Sequence, residues 1–122
     1  MSSFRNELLK YASDTYGTEA EYPWENAPNY AVLRHSNGKW YGVIMDIHPG
    51  KLGLKDKGVI DVINVKADTF LLSTFLSRDG YFPPYHMTKS SNWITVALDG
   101  KVDLEQLFFM LDMSYEIIDK KK

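Results

Sequence analysis

The sequence contains no cysteine, which excludes a disulfide framework, a thiolate metal site and a thiol nucleophile. It also lacks any apolar run near the roughly 18 residues that a membrane-spanning helix needs. Met1 to Glu7 shows no basic-then-apolar signal layout, so the expectation is a cytoplasmic chain with no membrane role. Neither sign of charge is in surplus: 14 basic and 16 acidic side chains leave a net charge of -2, which does not attract a polyanion as a whole. His35, His48 and His86 fit no metal-ligand spacing. Gly38-Lys39, Gly50-Lys51 and Gly100-Lys101 lack the flanking residues of a phosphate loop, and there is no nucleophile elbow. Asp46 and His48 form the only local acid–histidine pair, and a plain strand terminus explains them better than a metal or general base. The inventory predicts no metal, no cofactor and no catalytic residue, and therefore not an enzyme.

What is present suits a single α+β domain over residues 1–122, with a frayed basic tail at 119–122. A first helix is expected from an N-cap at Ser3, with Phe4, Leu8, Tyr11 and Ala12 on its buried face and Gly17 as its stop. Between Tyr11 and Leu33 no lysine or arginine occurs, while Asp14, Glu19, Glu21 and Glu25 do, which predicts an acidic, turn-rich connection. Tyr30 to His35 and Trp40 to Ile47 flank Asn37-Gly38, a hairpin signal that rests on positive φ at both central positions. With Ser36 opposite Lys39, Arg34 faces Tyr41, Val32 faces Val43 and Tyr30 faces Met45, while Leu33, Ile44 and Trp40 take the reverse face. Both faces then carry large apolar groups, so one is expected under helices and the other partly under a partner.

Further along, Lys51 to Gly58 reads as a basic loop or ragged helix, and Val59 to Val65 as a third strand. Asp68 caps a helix through about Ser77 that buries Phe70, Leu71, Phe75 and Leu76. Trp93 to Leu98 is a strand with Ile94, Val96 and Leu98 on one face. Asp103 and Gln106 open the last helix as a capping box. On that helix Leu104, Leu107, Phe108, Leu111, Tyr115 and Ile118 form a core stripe, and Phe109, Met110, Met113 and Ile117 form a second apolar stripe. The second stripe is a candidate interface for a homodimer or another protein.

The densest group of functional side chains lies between Tyr81 and Gly100, with Pro83, Tyr85, His86, Met87, Lys89 and Trp93 at close spacing. One reading is structural: the prolines stiffen a loop, His86 bonds backbone and Trp93 packs against the sheet. The other is functional: Lys66 and Lys89 meet phosphates while Tyr85, His86 or Trp93 stacks on a base, supported by Lys51, Lys55 and Lys57. A small-ligand pocket around His86, Trp93 and Tyr115 is a third option. Pro83, Tyr85, His86, Met87, Lys89 and Trp93, with Val62 to Lys66, Leu98-Asp99-Gly100 and Ser114-Tyr115, resemble the MmcQ/YjbR family over nearly the whole chain. The resemblance implies an order of helix, three strands, helix, two strands, helix, similar to the type III secretion chaperones. It places an extra short strand near Tyr85 to Lys89 and helices mainly on one face of an antiparallel sheet. It also implies DNA binding through a double-wing arrangement of hairpins. The resulting expectation is weak, salt-sensitive DNA binding, with a protein-interaction or homodimerisation module as the rival.

Overall fold

Among the described residues, five antiparallel strands form one open sheet in the order β1-β2-β3-β5-β4, and three α-helices pack with it. In chain order these are α1 (Arg5–Tyr16), β1 (Ala31–Arg34), β2 (Trp40–Ile47), a 3₁₀ turn (Pro49–Leu52), β3 (Ile60–Lys66), α2 (Leu72–Leu76), β4 (Tyr81–Phe82), β5 (Trp93–Ala97) and α3 (Leu104–Lys120). The structure, a computed structural model, describes residues 3–53, 55, 58–85 and 92–120. The element order is the one expected, but the extra short strand is β4 at Tyr81–Phe82, upstream of Tyr85. Residues 86–89 of the expected strand lie outside the described residues.

The first hairpin forms where Asn37-Gly38 predicts it, by a different turn. The His35 N–H donates to the Lys39 carbonyl at 2.7 Å, and the Gly38 N–H to the His35 carbonyl at 2.8 Å. The loop thus has three residues, and only Gly38, at φ +90°, takes the left-handed conformation. This is the loop type that ends in a bulge. Val32 opposes Val43 as expected, but Arg34 opposes Trp40, because the register slips after Leu33. Tyr41 is the extra residue of that bulge, and the bulge exchanges the faces of its two aromatics. Tyr41 turns under the helices, while Trp40 joins Val32, Val43 and Met45 on the far side.

The helices cover one face. Leu8 and Ala12 of α1, Phe75 of α2 and Leu107, Met110, Leu111 and Ile118 of α3 bury against Leu33, Ile44, Ile63, Ile94, Val96 and Leu98. Gly42 leaves room for its neighbours under α3: a Cβ there would meet Leu33 Cδ1 at 3.1 Å, Ile63 Cδ1 at 3.4 Å and Leu111 Cδ1 of α3 at 3.5 Å. Helix α1 begins one residue later than expected, with Phe4 at the cap, and stops at Gly17. Ser3 Oγ still accepts from the Arg5 N–H in the first turn at 3.2 Å. Its hydroxyl donates to Asp61 at 2.6 Å, beside the two bonds that Arg5 makes to the same carboxylate.

Helix α2 is only five residues long. Asp68 caps the turn before it, accepting from the Phe70 N–H at 2.8 Å, and the helix itself starts at Leu72. A single turn can press one side inward, so Phe75 is buried while Phe70 is 91% exposed and Leu71 and Leu76 stay at the surface. On the opposite face of the sheet the chain supplies cover of its own. Trp24, Tyr30, Trp40, Leu52, Phe82 and Tyr85 pack over its buried Val32, Val43, Met45, Ile47, Ile60, Val62 and Ala97. The acidic connection therefore supplies aromatic cover, with Trp24 edge-on to both Tyr30 and Trp40.

Candidate functional site

On the far face, at the middle of β3 and β5, two polar side chains sit opposite each other in full burial: Asn64 and Thr95. Their hydrogen bonds close a ring with the backbone of Tyr85. The Tyr85 N–H donates to Thr95 Oγ1 at 2.9 Å, Thr95 donates to Asn64 Oδ1, and Asn64 Nδ2 donates to the Tyr85 carbonyl at 3.1 Å. Each group in the ring has its partner, which is what makes a buried polar cluster rigid and specific instead of costly. Pro83 and Pro84 precede it and lack N–H groups that would need partners. Sequence reasoning missed this ring. The available signal was Asn64 itself, a lone polar residue inside the apolar run from Val62 to Val65.

The ring holds the Phe82–Tyr85 segment beside the 3₁₀ turn, and between them lies a groove of about 250 Å³ lined by Lys51, Leu52, Phe82, Pro83, Pro84 and Tyr85. The turn is itself fixed, since His48 Nδ1 accepts from the Gly50 N–H at 2.9 Å. His48 is thereby a cap and Asp46 accepts from Asn29 Nδ2, so the acid–histidine pair of β2 is occupied structurally. Among the described residues no group of three or more histidine, aspartate or glutamate side chains could hold a metal ion. No helix among them is long and apolar enough to cross a membrane.

The expected contact residues divide. Lys51 and Lys55 are exposed, and Tyr85 is half-buried in the groove wall. Lys66 and Trp93 are not surface groups: each is 8% exposed. They are cross-strand partners, and the Lys66 ammonium lies 5.4 Å from the Trp93 ring centroid. Taking that cation from the ring's face to a phosphate would break a desolvated cation–π contact. Lys57, His86 and Lys89 lie outside the described residues.

Ser114 and Tyr115 are accounted for on the helix side. Ser114 Oγ accepts from the Lys66 N–H at 2.8 Å and donates to the Tyr41 carbonyl at 2.6 Å, joining α3 to two strands. Its hydroxyl therefore bonds neither to its own helix nor to a loop. Tyr115 does not form a ligand pocket with Trp93. Its ring stacks on Tyr16 at 3.8 Å and contacts His35 and Tyr41. Tyr11 and Tyr16 both donate to Asp112, an acceptor the sequence did not reveal. Burial first, and that carboxylate second, raise the Tyr16 phenol well above its ordinary value. On the second stripe of α3, Met110 is fully buried and belongs to the core, Met113 and Ile117 are half-buried, and Phe109 is half-exposed. The stripe is narrower than its pattern suggests because α3 lies deep enough to bury both flanks of its inner face.

Comparison with known proteins gives a consistent family. A family model described as YjbR matches residues 13–117. The uncharacterized protein YyaQ of Bacillus subtilis is 38% identical over 114 residues, covering 93% of this chain and 96% of YyaQ. A crystal structure of a Pseudomonas syringae protein superposes with a TM-score of 0.88 at 36% identity, covering 96% of this chain and 98% of that one. A Deinococcus radiodurans crystal structure, at 20% identity and a TM-score of 0.75, shares the fold and covers 98% of this chain and 80% of its own.

Proposed function

This chain belongs to the YjbR family, and from that premise we propose that it is a non-catalytic, cytoplasmic binding domain that engages DNA weakly through the groove beside Tyr85. The observation that supports the reading is the pairing in one groove of the Lys51 cation with the flat surfaces of Phe82, Pro83 and Tyr85. In sequence the basic loop continues from Lys51 to Lys55 and Lys57, which supplies three cations for phosphates. Lys66 is left out of that count because its charge lies over Trp93.

With about three phosphates neutralised and roughly 0.9 contributed by each, log affinity falls against log salt with a slope near -3. Fluorescence anisotropy with a short duplex at several salt concentrations tests this. Replacing Lys51 and Lys55 together lowers the slope by about two. Lys66→Met leaves it unchanged. No binding at low salt by a folded sample refutes the DNA reading.

A second reading draws on Phe109, 50% exposed on α3, and on Phe70, 91% exposed before α2. Exposed rings of that size favour a protein-interaction or homodimer module. Sedimentation of wild type and Phe109→Lys separates the two readings, since only the interaction module changes its assembly state.

A further inference from the structure

The Asn37-Gly38 turn of the first hairpin is chemically the most labile dipeptide in the chain, and it is held down against the last turn of α3. Asparagine followed by glycine deamidates when the glycine amide nitrogen attacks the asparagine side-chain carbonyl carbon. The glycine has no Cβ to obstruct that approach. In the folded chain every group the attack needs is engaged. Asn37 Oδ1 accepts from the Lys39 N–H at 2.9 Å, and Asn37 Nδ2 donates to the Ile118 carbonyl at 3.2 Å. The Gly38 N–H is committed to the His35 carbonyl, and the Asn37 N–H donates to His35 Nδ1 at 3.0 Å. His35 is itself packed on α3: it is 6% exposed, its ring lies 4.4 Å from that of Tyr115, and its Nε2 approaches Asp119 Oδ1 to 3.0 Å without the alignment of a hydrogen bond.

We propose that Asn37 is a spontaneous-deamidation site guarded by this hairpin-to-helix latch, and that its modification opens the latch irreversibly. The chemistry balances without an external reagent other than water. The Gly38 nitrogen forms a bond to Asn37 Cγ and gives up its proton, and the side-chain nitrogen leaves as ammonia. Water then opens the cyclic imide at either carbonyl, giving aspartate or its β-linked isomer. Either product replaces the Nδ2 donor with a carboxylate, an acceptor that cannot bond the Ile118 carbonyl and is repelled by it. The β-linked product also lengthens the backbone of a three-residue loop whose register is set by its closing bonds. While the latch is shut the turn is protected; once the hairpin parts from α3, reaction proceeds and the bond to Ile118 cannot re-form.

The test is a time course of peptide mass mapping on the whole chain at mildly alkaline pH, folded and in urea. Deamidation at Asn37 is expected to be at least about tenfold slower folded than in urea, the factor that one or two ordinary hydrogen bonds supply. Asp119→Ala at the exposed end of α3, and His35→Phe, which keeps a ring against Tyr115, each raise the folded rate roughly three- to tenfold. Asn37→Asp raises the hydrogen-exchange rate of the Gly38 amide. Equal rates for the folded and urea-unfolded wild type, or an Asp119→Ala rate no faster than wild type, overturn the guarding role. That result is decisive even if His35→Phe fails to fold. Unchanged Gly38 exchange in Asn37→Asp overturns the opening of the latch.

Discussion

Replacing Ser114 by alanine removes one oxygen from the centre of α3 and leaves two buried backbone groups without partners. The Lys66 N–H loses its acceptor and the Tyr41 carbonyl its donor, in a site where Ser114 has no exposed surface. An unsatisfied buried group costs about 1–3 kcal/mol, and the N–H stands nearer the upper end because a carbonyl tolerates the loss better. Alanine is the better helix former by roughly 0.5 kcal/mol, which offsets little of this. The net loss is therefore about 3 kcal/mol, and for a chain of this length the melting temperature falls by on the order of 10 °C. Paired thermal and urea unfolding measures it, with Ser77→Ala as the control. Ser77 bonds the Thr74 carbonyl in an exposed position, and its loss stays within about 0.5 kcal/mol. If Ser114→Ala melts like that control, α3 does not depend on the hydroxyl that joins it to β2 and β3, and the reasoning fails.

Trp93→Ala, which opens a cavity at an 8% exposed position and strips the Lys66 cation of its ring, costs about 3–5 kcal/mol; a melt unchanged from wild type refutes its burial. In a double-mutant cycle Asn64→Leu and Thr95→Val couple by about 0.5–3 kcal/mol, since either alone strands the backbone of Tyr85. Simple additivity in denaturant melts refutes the closed ring. Alkaline unfolding follows from Tyr41, whose phenol burial pushes up to about 12. The unfolded chain ionises near 10 and binds fewer protons above it, so stability is intact below about pH 10 and is lost as pH rises through about 12. Tyrosinate absorbance and circular dichroism then change together; complete ionisation of the tyrosines without loss of helix contradicts this.

Local chemistry made much of the fold legible. The Gly17 stop, the Asn37-Gly38 hairpin and the Asp103 cap, which accepts from the Gln106 N–H at 2.9 Å, each depend on a few adjacent residues. Features set by tertiary packing were not legible. The bulge at Tyr41 depends on how β1 and β2 coil, and alternation alone puts Trp40 and Tyr41 on the wrong faces. Phe70 has the same hydrophobic character as Phe75, and only the shortness of α2 separates an exposed ring from a buried one. Within the candidate site, residue types favoured packing for Trp93 and the family resemblance made it and Lys66 candidate contacts; the pairing of β3 with β5 stacks the two on each other. Asn64 and Thr95 escaped notice because the ring they form spans three segments far apart in sequence.

The proposed DNA surface is the groove beside Tyr85. Amide chemical-shift mapping during titration with a short duplex at low salt tests it most directly. Shifts are expected at Lys51, Leu52, Phe82 and Tyr85, fading together as salt rises. Shifts centred on Phe109 and the outer face of α3, or none at all under those conditions, contradict it.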